Sequence, residues 1–284
     1  MTAIKLFLSS LISTLTHIGS LVVFAILYAL LLAAFLRFIW IREATLTQVF
    51  FTYALLFLIP ALFFIWQAAI IDRVRDQRFR WRAILIDAVK FFIATIPVLL
   101  IAWLLYFLLG KIAGRYPAPA VPVLPLGTTP PKAPLHWPTL IFASLRFVLL
   151  GVAAPLAAIH LWIEIAGGEV RSVFSGGKSF AGRIGAALAR AFSADAVLIY
   201  ALGLFVFFVL PYVVLVPTFR IGGNKTEFSI FTLRLVITFV LTLIGWVVTL
   251  SALTSNAALA PAAQTVRPAE PAPSPAMSES PSAV

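Results

Sequence analysis

Residues 91–110 read FFIATIPVLLIAWLLYFLLG, twenty positions without a charged side chain. A helix of that length rises about 1.5 Å per residue and covers roughly 30 Å, the thickness of bilayer hydrocarbon. Its apolar residues surround the helix, with no polar stripe at period 3.6 of the kind a water-facing helix carries. Such a segment is built for lipid.

The same pattern recurs on both sides. Charge-poor runs at 17–38, 50–71, 87–110, 139–166, 196–219 and 229–253 predict an all-α, polytopic transmembrane helix bundle of about six helices, a single membrane domain over 1–258. No charge falls between Lys5 and Arg37, so the first run exceeds one crossing, and its polar stretch Ser9 to His17 is expected in the interface or in a tilted extension. Only Lys5 precedes it and the run is too long for a leader's apolar core, so it reads as an anchor, not a cleaved signal peptide. Composition agrees: 62% hydrophobic, 11% charged and a mean hydropathy of +1.06. Soluble domains are about half apolar and a quarter charged.

The net charge of +11 sits in short blocks between the runs instead of in one stripe, which points to topology and away from a nucleic-acid partner. One side collects eleven basic residues: Lys5, Arg73, Arg75, Arg78, Arg80, Arg82, Arg171, Lys178, Arg183, Arg190 and Arg267. The other collects seven: Arg37, Arg42, Lys111, Arg115, Lys132, Arg220 and Lys225. Basic short loops stay in the cytoplasm, so both termini are expected there, with the protein in a cell membrane of bacterial type. Anionic headgroups on that side are the expected lipid partner. Trp40, Trp66, Trp81, Trp137 and Trp162 fall near run ends and are expected in interfacial belts, with Trp103 and Trp246 deeper.

Between runs, residues 111–138 carry eight prolines and are expected to form an extended outer loop. Residues 179–192 place Phe180, Ile184, Leu188, Ala191 and Phe192 at helical spacing and predict an amphipathic helix on the cytoplasmic surface. Residues 259–284, rich in Pro, Ala and Ser, are expected to be disordered. The triplet Asp-Ala-Val at 87–89 and again at 195–197, each behind an arginine-rich segment, hints that runs two and three duplicate runs four and five.

No catalytic motif is legible. Gly176-Gly177-Lys178-Ser179 lacks the leading glycine and preceding strand of a phosphate loop, and the sequon Asn224-Lys225-Thr226 occupies a very short loop. Zero cysteines exclude disulfides, thiolate metal sites and thiol nucleophiles, and nothing calls for a cofactor or a metal. The candidate polar site inside the membrane is Arg146, Arg234, His160 and Glu164. Arg146 and Arg234 each lie about two turns inside the outer end of a span, where convergence would make an anion site and separation would leave two snorkelling cations. His160 and Glu164 share a helix face at i, i+4, as a proton relay or as the span's exit into headgroups. Asp87 and Lys90, at i, i+3, are expected to pair as a structural anchor, with Lys90 snorkelling inward. Pro60, Pro97, Pro155, Pro211 and Pro217 free backbone carbonyls that must face protein or water. Gly151, Ala154 and Ala158 form a small-residue stripe that places span four at the bundle centre.

The resulting expectation is a non-catalytic, multi-pass membrane protein that organises or assists partners. Two alternatives stand: a transporter or lipid-handling protein with an anion site at Arg146 and Arg234, and an intramembrane enzyme using His160 and Glu164.

Overall fold

The computed structural model describes residues 2–41, 45–117, 135–168, 177–216 and 224–265. Among them there is no strand, and the chain is an all-α transmembrane bundle. Its helices are α1 (Thr2–Thr16), α2 (Ile18–Trp40), α3 (Leu46–Asp76), α4 (Trp81–Ala113), α5 (Trp137–Ile165), α6 (Gly177–Ala191), α7 (Ala194–Leu215) and α8 (Asn224–Thr265). Six of them, α2, α3, α4, α5, α7 and α8, are long and apolar enough to cross a membrane. The expected outer loop lies outside the described residues over 118–134.

Local chemistry sets the ends. Thr45 opens α3 with a capping box, its hydroxyl taking the Gln48 amide at 3.3 Å while the Gln48 side chain takes the Thr45 amide at 3.0 Å. Ser193 caps α7 through the Ala196 amide at 3.3 Å. His17, with φ −97° and ψ 66°, divides the long first run into α1 and α2.

We call the end where α3 turns into α4 the basic face, because Arg73, Arg75, Arg78, Arg80 and Arg82 gather there. The turn is closed by Asp72, whose carboxylate takes the Arg80 amide at 3.0 Å and its guanidinium at 2.9 Å. α1 packs on α8 and on the first half of α7, and α6 docks on α5, so both short helices belong to this end. α6 buries Ala187 and Ala191 against the bundle, and so is a docked piece of the fold as well as an amphipathic surface.

The core is lopsided. Ile70, Ile84, Phe91, Leu156, Ile199 and Leu250 are all at most 1% exposed, and all lie in the half of their helix nearest the basic face. In the opposite half Leu99, Trp103, Phe208 and Phe231 are more than half exposed.

Several expectations need correction. The helix with the most extensive packing is α8, which touches α1, α2, α3, α5 and α7, while α5 packs chiefly on α4, α6 and α8 and meets α3 through Phe64 and α7 through Tyr200. A π turn at Val148–Ala153 inserts an extra residue into the register of the small-residue stripe of α5, and the atoms nearest to a Cβ on Gly151 would be those of the Phe147 ring on the same helix. Trp66 and Trp162 are each 4% exposed, core residues instead of belt residues, because their helices carry partners at that level. The helix of α8 runs to Thr265, past the expected start of the tail at 259, since an Ala-rich stretch joined to a packed helix propagates without a new nucleus. Residues 266–284 lie outside the described residues. Asp87 sits two turns inside α4 while Asp195 lies in the first turn of α7, so the repeated triplet occupies different helical positions.

Candidate functional site

A buried polar cluster lies at the end of α5. Lys90 stands in the third turn of α4, and its side chain is 1% exposed. It does not snorkel. Its ammonium pairs with Asp87 and donates to the carbonyl oxygens of Ile165, at 3.1 Å, and Gly168, at 2.7 Å. The last carbonyls of a helix have no partner within it and carry the negative end of the dipole, so a buried cation there satisfies both needs. Asp87 completes the latch by accepting the Gly167 amide at 3.2 Å, and Arg75 from α3 donates to the Ala166 carbonyl. Gly167, at φ +72°, supplies the left-handed turn that aims these groups inward. An ammonium taken out of water costs several kcal/mol unless paired and hydrogen-bonded, and here it is both.

Glu164 and His160 do not meet as a relay. Glu164 pairs with Arg190 of α6, a charge-assisted bond that ties α6 to the bundle. His160 is 3% exposed, and its Nδ1 donates to the Leu156 carbonyl of its own helix at 3.0 Å. Among the described residues no group of three or more His, Asp or Glu side chains comes together in a way that holds a metal.

The two arginines of the expected anion site lie on different helices, α5 and α8. The Arg146 guanidinium lies over the Tyr106 ring, 4.9 Å from its centroid, and beside Gly110, which commits it to α4. Arg234 is half-buried on α8, where it is engaged with other residues. The outer part of α5 packs on α4.

Pro155 and Pro211 follow the expected rule with an added device, and Pro217 lies outside the described residues. A proline at position i clashes with the carbonyl of i−4 and leaves it without an amide. For Pro155 that carbonyl belongs to Gly151, and the Tyr200 hydroxyl of α7 donates to it at 2.9 Å. For Pro211 it belongs to Phe207, and Thr242 of α8 donates to it at 3.4 Å. Each proline follows a π turn, Val148–Ala153 in α5 and Phe205–Val209 in α7, which widens the helix where the ring intrudes.

Other functional groups carry no local signal in the sequence. Gln67 is fully buried, and its side-chain oxygen accepts the Trp246 indole N–H at 2.8 Å. Thr95 accepts the Trp162 indole N–H at 2.8 Å. Asp72, 1% exposed, was hidden among arginines, and its hydrogen bond raises the Arg80 guanidinium still further above its ordinary pKa. A charge flanking an apolar run was the available signal, but it does not say which neighbour the charge faces. No known family matches the chain, and no match is found among curated proteins or solved structures.

Proposed function

We propose that the chain is a multi-pass protein of a cell membrane, with its basic face and both termini in the cytoplasm, that serves as a non-catalytic platform organising or assisting partners. One observation supports this reading above others. Glu164, one of the groups that promised chemistry inside the spans, is tied to Arg190 on α6, and the buried pair Lys90 and Asp87 holds the end of α5. The Lys90 ammonium has its three N–H groups taken up by Asp87 and the carbonyls of Ile165 and Gly168. The arginines of the α3–α4 turn and the α6 helix then form the surface available to anionic headgroups and to partners on that side.

Single cysteines test the orientation cleanly, since the sequence has none of its own. Placed at Arg78 and at Tyr116, they should label from opposite sides of the membrane, Arg78 from the cytoplasm. The platform itself is tested by cross-linking from Arg78 and Arg82 in native membranes. Discrete protein adducts are expected, and adducts to lipid alone would reject the reading.

A further inference from the structure

A cleft of about 280 Å³ opens on the basic face, between α1, the first turn of α2, the last turn of α3 and the second half of α8. Its wall contrasts with a chain that is 62% hydrophobic: Ser10, Ser13, Ser20 and Ser251 line it with His17 and Arg73, and among the described residues no acidic one does. Arg73 donates through Nε to the Ser20 hydroxyl at 2.8 Å and through one terminal nitrogen to the Gln77 side-chain oxygen at 2.9 Å. Both acceptors are neutral, so they orient the cation without cancelling its charge. They engage two of the five N–H groups of a guanidinium, a fork whose geometry matches phosphate and carboxylate oxygens. The His17 Nδ1 donates to the Ser13 carbonyl at 2.8 Å, which fixes the ring and leaves Nε2 as its other polar atom.

Depth supplies the second constraint. α2 runs 23 residues from Ile18 to Trp40, about 34 Å at helical rise and close to the hydrocarbon thickness. The cleft opens at Ser20 and His17, at the end of that span, the level at which a helix of this length would meet headgroup phosphates. A neighbouring cavity of about 450 Å³ shares Val74 and Ser255 with it and brings in Arg75.

We propose that this cleft binds a phosphate group, carried by an anionic lipid headgroup or free in solution, with Arg73 as its charged ligand and the hydroxyls of Ser10, Ser13 and Ser20 as further donors. This goes beyond the platform reading, because a platform requires no ligand and the cleft stands apart from the α5 latch.

The test uses the purified full chain in a neutral detergent and follows its thermal midpoint and the lipid retained by mass spectrometry. The probes are phosphatidylglycerol, phosphatidylcholine and millimolar inorganic phosphate. Phosphatidylglycerol should raise the midpoint and be retained while phosphatidylcholine is not. If inorganic phosphate protects equally well, the bound anion is a soluble one; protection by phosphatidylglycerol alone assigns the lipid. Arg73→Gln should weaken binding about tenfold or more, the loss expected for a charge-assisted hydrogen bond, with Arg73→Lys in between. Arg115→Gln removes the same charge from an exposed position at the opposite end of the bundle and should bind like the parent. Ser13→Phe should fill the mouth of the cleft and abolish binding while keeping the ligand-free midpoint. Equal losses in Arg73→Gln and Arg115→Gln, equal binding of both lipids, no response to phosphatidylglycerol or phosphate, or full binding by Ser13→Phe would each overturn the proposal.

Discussion

The two halves of the bundle are made from the same apolar alphabet and packed in different ways. Toward the basic face Phe91, Trp162 and Phe64 interlock, with Phe91 stacked on Trp162 at 5.9 Å and Phe64 edge-on to it at 5.8 Å. Toward the opposite face Leu99, Trp103 and Phe208 lie open. Hydropathy does not separate them. Between helices in lipid the hydrophobic effect is nearly silent, because tails are as apolar as leucine, and association rests on close packing and hydrogen bonds. The packed half holds the Lys90 latch, the Glu164–Arg190 tie, the Asp72 turn and the indole bonds of Trp162 and Trp246. The open half has cations laid on rings, Arg146 on Tyr106 and Lys111 on Phe107. Polar and aromatic complementarity, more than apolar content, makes a membrane core.

The contrast is open to attack by substitution. Lys90→Met should be the most damaging change, costing about 3–5 kcal/mol, because it strands the Asp87 carboxylate and the α5 carbonyls in a dry site. The unfolding midpoint in mixed detergent reads this, and Asp87→Asn on top of it should restore part of the loss. Next comes the α7–α8 crossing, where a Cβ on Gly203 would overlap the Thr249 hydroxyl and lie 2.6 Å from its methyl carbon. Gly203→Ala should cost about 1–3 kcal/mol by overpacking in the same assay. Tyr200→Phe removes the donor to the Gly151 carbonyl and should cost roughly 0.6 kcal/mol, the usual worth of such a bond in membrane bundles. Leu99→Ala, in the open half at 60% exposure, should stay within about 0.5 kcal/mol. If Leu99→Ala proved as costly as Gly203→Ala, the distinction between the halves would fail.

What the sequence disclosed follows from the range of each interaction. Runs without charge mark the spans because insertion into lipid is decided segment by segment, and the 3.6 period of 179–192 marks α6 because its amphipathic face is local. Asp87 with Lys90 was legible as a pair because three residues separate them, but the α5 end that Lys90 caps lies 75 residues onward and leaves no local trace. Glu164 illustrates the opposite error. Its i−4 neighbour His160 was close in sequence, yet a cation on another helix makes the stronger bond and takes the carboxylate. The hydroxyls of the cleft come from α1, α2 and α8, scattered over more than two hundred positions, and only the fold gathers them.

The paired π turns carry a geometric consequence for the open half. One surplus residue rotates everything beyond it by about 100° relative to an uninterrupted α-helix. The outer segments of α5 and α7 therefore show their surroundings a different meridian from the one their inner segments would project. Deleting a single residue from Val148–Ala153 would turn the Trp137–Phe147 segment through that angle and swing Arg146 off the Tyr106 ring, with the Lys90 latch untouched.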